Sequence, residues 1–234
     1  MDLENLKKEL KNKSSAKRAK NSQRFFKTGP GEYGEGDVFL GITVPEIRKI
    51  ANKFFRLKLQ DIEELLKSKF HEERLVSLLI LVVKFKKGDE NARKKIYEFY
   101  LKNLEFVNNW DLVDSSAEQV IGDYLLKRNK NILARLAKSK NLWERRIAIV
   151  ATFRFIKNNK FFDTFKISKI LLRDEHDLIH KAVGWMLREV GNRSLESEEE
   201  FLKKHYKKMP RTMLRYAIEK FNENKRLLYL KGKI

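Results

Sequence analysis

Four side chains in this 234-residue sequence combine chemical capability with regular spacing: Trp110, Asp114, Arg146 and Trp185. Trp110 and Asp114 stand at i and i+4 in Asn108-Asn109-Trp110-Asp111-Leu112-Val113-Asp114, which puts an indole and a carboxylate on one face at the start of a helix. Arg146 lies near the head of the run LWERRIA that begins at Leu142, and Trp185 follows Gly184 in HKAVGWMLRE from His180. Two indoles can cradle a sugar or a cation, a guanidinium can hold a phosphate through paired hydrogen bonds, and a carboxylate in that setting must have a task. Taken singly, each has an ordinary structural explanation. The indoles could be packing residues, Asp111 or Asp114 a helix cap or first-turn acid, and Arg146 the ion-pair partner of Glu144 or of a carboxylate in a neighbouring repeat.

Other chemistries find less support. Gly29-Pro30-Gly31-Glu32-Tyr33-Gly34 matches G-x-G-x-x-G in form, but no apolar strand precedes it, and Glu32, Glu35 and Asp37 would repel a pyrophosphate. His176 and His180 stand at i and i+4 beside Asp177, yet no third ligand is apparent. His71 and His205 carry no partner motif. The chain is therefore expected to use no metal and no cofactor. The absence of cysteine excludes disulfides, thiol nucleophiles and cysteine-ligated zinc. Lys plus Arg number 52 against 32 Asp plus Glu, and a formal charge of +20 favours polyanionic partners. The excess is marked in residues 1–27 and again in 201–234. Met1 to Lys13 lacks the apolar core of a signal peptide, and no apolar run approaches the roughly 18 residues that span a bilayer, so a soluble, cytoplasmic protein is expected.

The elements that must hold these residues read as helices almost throughout. Three prolines and 10 glycines punctuate the chain, and between them apolar residues recur at helical spacing, as in Leu75, Leu78, Leu79, Val82 and Val83, or Ile147, Val150, Ala151 and Phe155. Four helix starts resemble one another, at His71, Leu142, Asp177 and Pro210. Arg74 and Arg146 are two periods of about 36 residues apart, a length typical of helical-hairpin repeats that stack into a superhelix with one concave face. Trp110, Asp114, Arg146 and Trp185 fall near equivalent places in successive repeats, so the expectation is that they converge on that face. Two stretches interrupt the pattern. Lys27 to Gly41 holds five of the glycines and predicts a loop or short hairpin with a mobile tip; Gly191 to Glu200 stops one helix and opens another with an acidic cluster.

Three ordered motifs, NNWDLVDSSA from Asn108, LWERRIA from Leu142 and HKAVGWMLRE from His180, together resemble the bacterial DNA alkylation repair enzymes built of HEAT-like repeats, a family of 3-methyladenine and 7-methylguanine DNA glycosylases. The likeness spans essentially the whole chain. It implies an all-α fold, a right-handed α-α superhelix formed as a single domain over residues 1–234, with a basic concave face for DNA. It also implies a monofunctional glycosylase that acts as a monomer on double-stranded DNA containing alkylated bases, in base excision repair. By this resemblance Asp114 takes the catalytic carboxylate position, Trp110 and Trp185 wall the lesion-bearing nucleotide, and Arg146 contacts phosphate. The Lys27 to Gly41 segment looks longer than its counterpart in the familiar glycosylases. Some members of the superfamily bind damaged or branched DNA without excising a base, and that is the alternative activity.

Overall fold

The computed structural model describes residues 2–234. It is all-helical, as the apolar spacing requires; among the described residues the only extended pairing is an isolated bridge between Val38 and Phe70. The chain divides into two compact units, Met1–Ser116 and Ala117–Ile234.

The first unit contains α1 (Leu3–Lys13), α2 (Ala16–Phe25), α3 (Val44–Lys53), α4 (Leu59–Leu66), α5 (His71–Lys87), α6 (Glu90–Lys102) and the short α7 (Trp110–Asp114). Its hub is α5, which is buried on every side from Leu75 to Val82 because α3, α4 and α6 all pack on it. Two acids open α5 and three lysines close it, in keeping with the helix dipole. Asp89 caps α6 by accepting from the Ala92 N–H at 2.8 Å. A capping box of Thr43 and Glu46, with Pro45 in the first turn, starts α3 where the glycine-rich segment ends.

That segment is a run of tight turns. Gly34 N–H donates to Lys27 O and Glu32 N–H to Gly29 O, both at 3.1 Å. The Glu32 and Glu35 carboxylates fold back onto the Gly29 and Gly31 N–H groups, both at 2.9 Å, so these acids satisfy their own loop. Gly41 ends it with φ +76°, and a Cβ there would lie 2.3 Å from Ser15 O, so only glycine fits. The segment's exit is fixed by Glu72, whose buried carboxylate accepts from the N–H groups of Leu40, Gly41 and Ile42 at 2.8, 2.7 and 3.2 Å.

In the second unit a π-helical turn (Glu118–Gly122) leads into α8 (Asp123–Leu125), followed by α9 (Asn131–Leu136), α10 (Leu142–Ala151), α11 (Phe153–Ile156), α12 (Phe162–Leu171), α13 (Asp177–Gly191), α14 (Leu195–His205), α15 (Arg211–Ala217) and α16 (Glu223–Leu230). His71, Leu142 and Asp177 open α5, α10 and α13, and Pro210 caps α15, so the four starts seen in the sequence are starts in the fold. The core of this unit joins α10, α13 and α15. Where α13 crosses α15 the backbones come so close that a Cβ on Gly184 would lie 2.5 Å from both Met213 O and the Tyr216 Cβ. Gly191 ends α13 and Ser194 caps α14, whose acidic first turn includes one surprise. Glu198 is fully buried, and burial, aided by the charge of Glu199, pushes its carboxyl up to about 9. No helix among the described residues is long and apolar enough to cross a membrane.

Candidate functional site

In the first unit the residues singled out from sequence lie on α7. Asn109 caps this short helix, its Oδ1 accepting from the Trp110 N–H at 2.8 Å. Trp110 and Asp114 are both half-buried and one turn apart. The far end of α7 is tied down by Tyr100, whose hydroxyl meets Ser116 Oγ at 2.8 Å while that oxygen donates to Leu112 O at 2.6 Å. Burial pushes the Tyr100 hydroxyl well above its ordinary range, and the nearby charge of Asp114 adds to the shift.

The near end of α7 is held by residues that the sequence did not point to. The His71 imidazole lies between two carboxylates, with Nδ1 at 3.0 Å from Asp37 Oδ2 and Nε2 at 2.8 Å from Asp111 Oδ2. Arg74 donates a short hydrogen bond to the other Asp37 oxygen, and Asn109 Nδ2 donates to Asp37 Oδ2 at 3.0 Å. Asp37, His71, Arg74 and Asn109 are all buried. Burial alone would depress the imidazole; the hydrogen bonds and charges of Asp111 and Asp37 outweigh it and push His71 up to about 9. Burial alone would raise the Asp37 carboxyl, but His71, Arg74 and Asn109 together hold it below its ordinary value. Asp111 is consequently committed: Oδ2 faces His71 and Oδ1 accepts from the Leu112 N–H at 2.9 Å.

An aromatic pile lies over this network. Phe39 stacks on His71 with centroids 4.5 Å apart, Phe26 lies 4.9 Å from Phe39, and Trp110 stacks on Phe26 at 5.1 Å and 14°. Phe25, two-thirds exposed, meets the Trp110 ring edge-on at 5.9 Å. Beside the pile a pocket of about 310 Å³ is lined by Phe26, Phe39, His71, Glu72, Asp111 and Arg18, among others. The supposed loop thus supplies Asp37 and Phe39 to the foundation beneath Trp110. No sequence motif could have found this set, because Asp37 and Asp111 reach His71 across 34 and 40 residues of chain.

In the second unit Trp185 is half-buried on α13, one residue after the glycine that sets the α13–α15 approach. Its Nε1 donates to Glu189 at 3.1 Å, and its ring lies 5.6 Å from Phe153. Arg146 on α10 is 5% exposed and donates to Leu178 O at 2.6 Å. Its neighbour Arg145 binds the Asp174 carboxylate, at 2.6 Å through Nε. The histidine pair serves the start of α13: His176 Nδ1 accepts from the Leu178 N–H at 3.1 Å, and His180 Nε2 makes a short contact with Asp174 O. Burial, the largest influence, lowers the His176 pKa.

A family model described as "DNA alkylation repair enzyme" matches residues 6–221. The fold is similar to that of a solved structure described as a predicted DNA alkylation repair enzyme from Enterococcus faecalis, with a TM-score of 0.71 and 18% identity over 90% of this chain and 98% of that one. No curated protein sequence matches the chain.

Proposed function

The chain belongs to the DNA alkylation repair enzyme family, and within that DNA-repair role we propose that it is a monofunctional DNA glycosylase that hydrolyses the N-glycosidic bond of cationic N3- and N7-alkylated purines in base excision repair. The observation that carries this reading is α7: a pinned turn of helix that bears an indole and a carboxylate on one face, with the other carboxylate, Asp111, already committed to His71. A purine alkylated at N3 or N7 is positively charged and leaves without prior protonation. The remaining demands are stabilisation of an oxocarbenium-like sugar and orientation of a water, the demands that carboxylates meet in glycoside hydrolysis.

In this reading Asp114 stabilises the sugar cation and orients or deprotonates the water. Trp110 and Trp185 are the aromatic walls around the lesion-bearing nucleotide, and Arg146 is the phosphate contact. The partner is double-stranded DNA containing alkylated bases, bound by a monomer, and the charge of +20 supplies long-range attraction. The chemistry calls for no metal and no cofactor.

The test is single-turnover release of 7-methylguanine from methylated duplex by wild type and Asp114→Asn. Loss of one electrostatic stabiliser typically costs about 2.7–4 kcal/mol, so the variant should be roughly a hundredfold slower or worse while still binding duplex. Equal rates would refute the role of Asp114. Duplex binding by wild type with no base release would refute the glycosylase and leave a non-catalytic binder of damaged or branched DNA.

A further inference from the structure

The chain Arg74–Asp37–His71–Asp111 has no part in the chemistry just described, yet it is the most heavily built polar feature of the first unit. A neutral imidazole carries one N–H and can donate to only one carboxylate; the other would then face a lone pair. His71 has a carboxylate oxygen within 3.0 Å of each ring nitrogen, so the arrangement is satisfied on both sides only by the imidazolium. Each polar link at the head of α7 leads back to this ion. Asp111 binds it directly, and Asn109, which caps α7 and holds the Trp110 N–H, binds Asp37 on its other side. The aromatic links follow the same route, from His71 to Phe26 at 5.0 Å and from Phe26 to the Trp110 indole at 5.1 Å.

We propose that His71, as an imidazolium clamped between Asp37 and Asp111, is the positioning residue for Trp110, fixing the first turn of α7 and the aromatic pile on which the indole rests. Removing its charge releases Asp111 and lets the indole move from its seat. The inference rests on the reading that Trp110 walls the excision site. The charged groups around His71 are Asp37 from the glycine-rich segment, Asp111 from α7, Glu72 and Arg74 from its own helix, and Arg18 from α2, which lines the adjoining pocket with it. Asp37 and Asp111 favour the proton and the two arginines oppose it. Glu72 is engaged by three backbone N–H groups. With two carboxylates in direct contact, the proton stays on through neutral pH and leaves in the alkaline range.

The experiment combines fluorine NMR with excision kinetics. Protein labelled with 5-fluorotryptophan gives one resonance for each of its three tryptophans, assigned by single Trp→Phe substitutions. The Trp110 resonance should move between pH 7 and the alkaline range in wild type, with Trp143 and Trp185 unmoved. At pH 7 it should already be displaced in His71→Gln and Asp111→Asn. Single-turnover excision should share the alkaline midpoint and be about tenfold or more slower in both variants at pH 7, because small misplacement of a positioned group costs large factors in rate. Duplex affinity should stay within about twofold, since neither residue is assigned a phosphate contact. His71→Gln removes a buried group; if it does not fold, Asp111→Asn removes one arm of the clamp and keeps the histidine. A Trp110 resonance indifferent to pH and to both substitutions would overturn the proposal whatever the activity. Displacement of Trp110 in a protein whose wild type excises nothing would support the positioning and defeat the glycosylase reading instead.

Discussion

The His71 clamp makes the stability of this protein depend on pH in a specified direction. An imidazole raised from 6.5 in the unfolded chain to about 9 in the folded one binds its proton more tightly when folded. Its contribution is therefore full below pH 6.5 and is lost as the pH rises through 9. One pKa unit corresponds to about 1.4 kcal/mol, so the full contribution is about 3 kcal/mol, of which about 2 kcal/mol disappears between pH 7 and 9. That is a sizeable share of the roughly 5–15 kcal/mol that hold a typical domain folded. Urea melts at 25 °C across this interval should show the wild-type midpoint falling with pH, while His71→Gln, less stable throughout, should give a much flatter profile. The difference between the two slopes isolates His71 from lysine and tyrosine titrations common to both proteins. Parallel profiles would mean that the histidine is not held as an imidazolium and would remove the physical basis of the clamp.

Three further outcomes follow from other contacts. Glu72→Gln replaces a carboxylate that accepts three N–H bonds, two of them buried, with an amide offering one acceptor oxygen, and should cost about 2–3 kcal/mol in chemical unfolding; an unchanged midpoint would show that these bonds do not hold the glycine-rich segment. Gly184→Ala drives a methyl group into the α15 backbone and should destabilise the protein by about 1–3 kcal/mol, the cost of overpacking a close helix crossing, with a lowered Tm as the readout. Arg146→Ala should weaken duplex binding and reduce the slope of log K against log salt by about 0.9 if the side chain neutralises one phosphate; a merely structural Arg146, bonded to Leu178 O, would lower Tm and leave the slope alone.

Much of the fold was legible because helical structure leaves local marks. The starts of α5, α10, α13 and α15 coincide with a change of period and charge in the sequence, and Gly88, Gly191 and Asn159 stand at stops or turns where a helix must end. The family was legible for a different reason: the motifs that carry Trp110, Asp114, Arg146 and Trp185 resemble it by their order, and its model matches residues 6–221. What sequence could not show is what depends on side chains meeting across long separations. Lys27 to Gly41 reads as a flexible connection from its glycines, yet its carboxylates fold onto its own amides and its end is gripped by Glu72. Glu198 reads as a solvated first-turn acid like Glu196, and only the helix packing reveals that it is buried.

The contrast between Asp111 and Asp114 shows why the carboxylate assignment needs geometry as well as motif. The two differ by less than one helical turn, and either could have been a first-turn acid. Asp111 has one oxygen on an imidazolium and the other on a backbone N–H, so turning it toward a substrate cation would break two bonds and leave His71 facing Asp37 alone. That exchange would expose a buried charge to gain an electrostatic contact of the same kind, and it offers no net driving force. Asp114 is not part of the clamp, and it inherits the rigidity that Asp111 and Ser116 give to the two ends of α7. A carboxylate that stabilises a transition state must already be in place when charge develops. On this short helix Asp111 does the holding, and Asp114 is the acid proposed to do the chemistry.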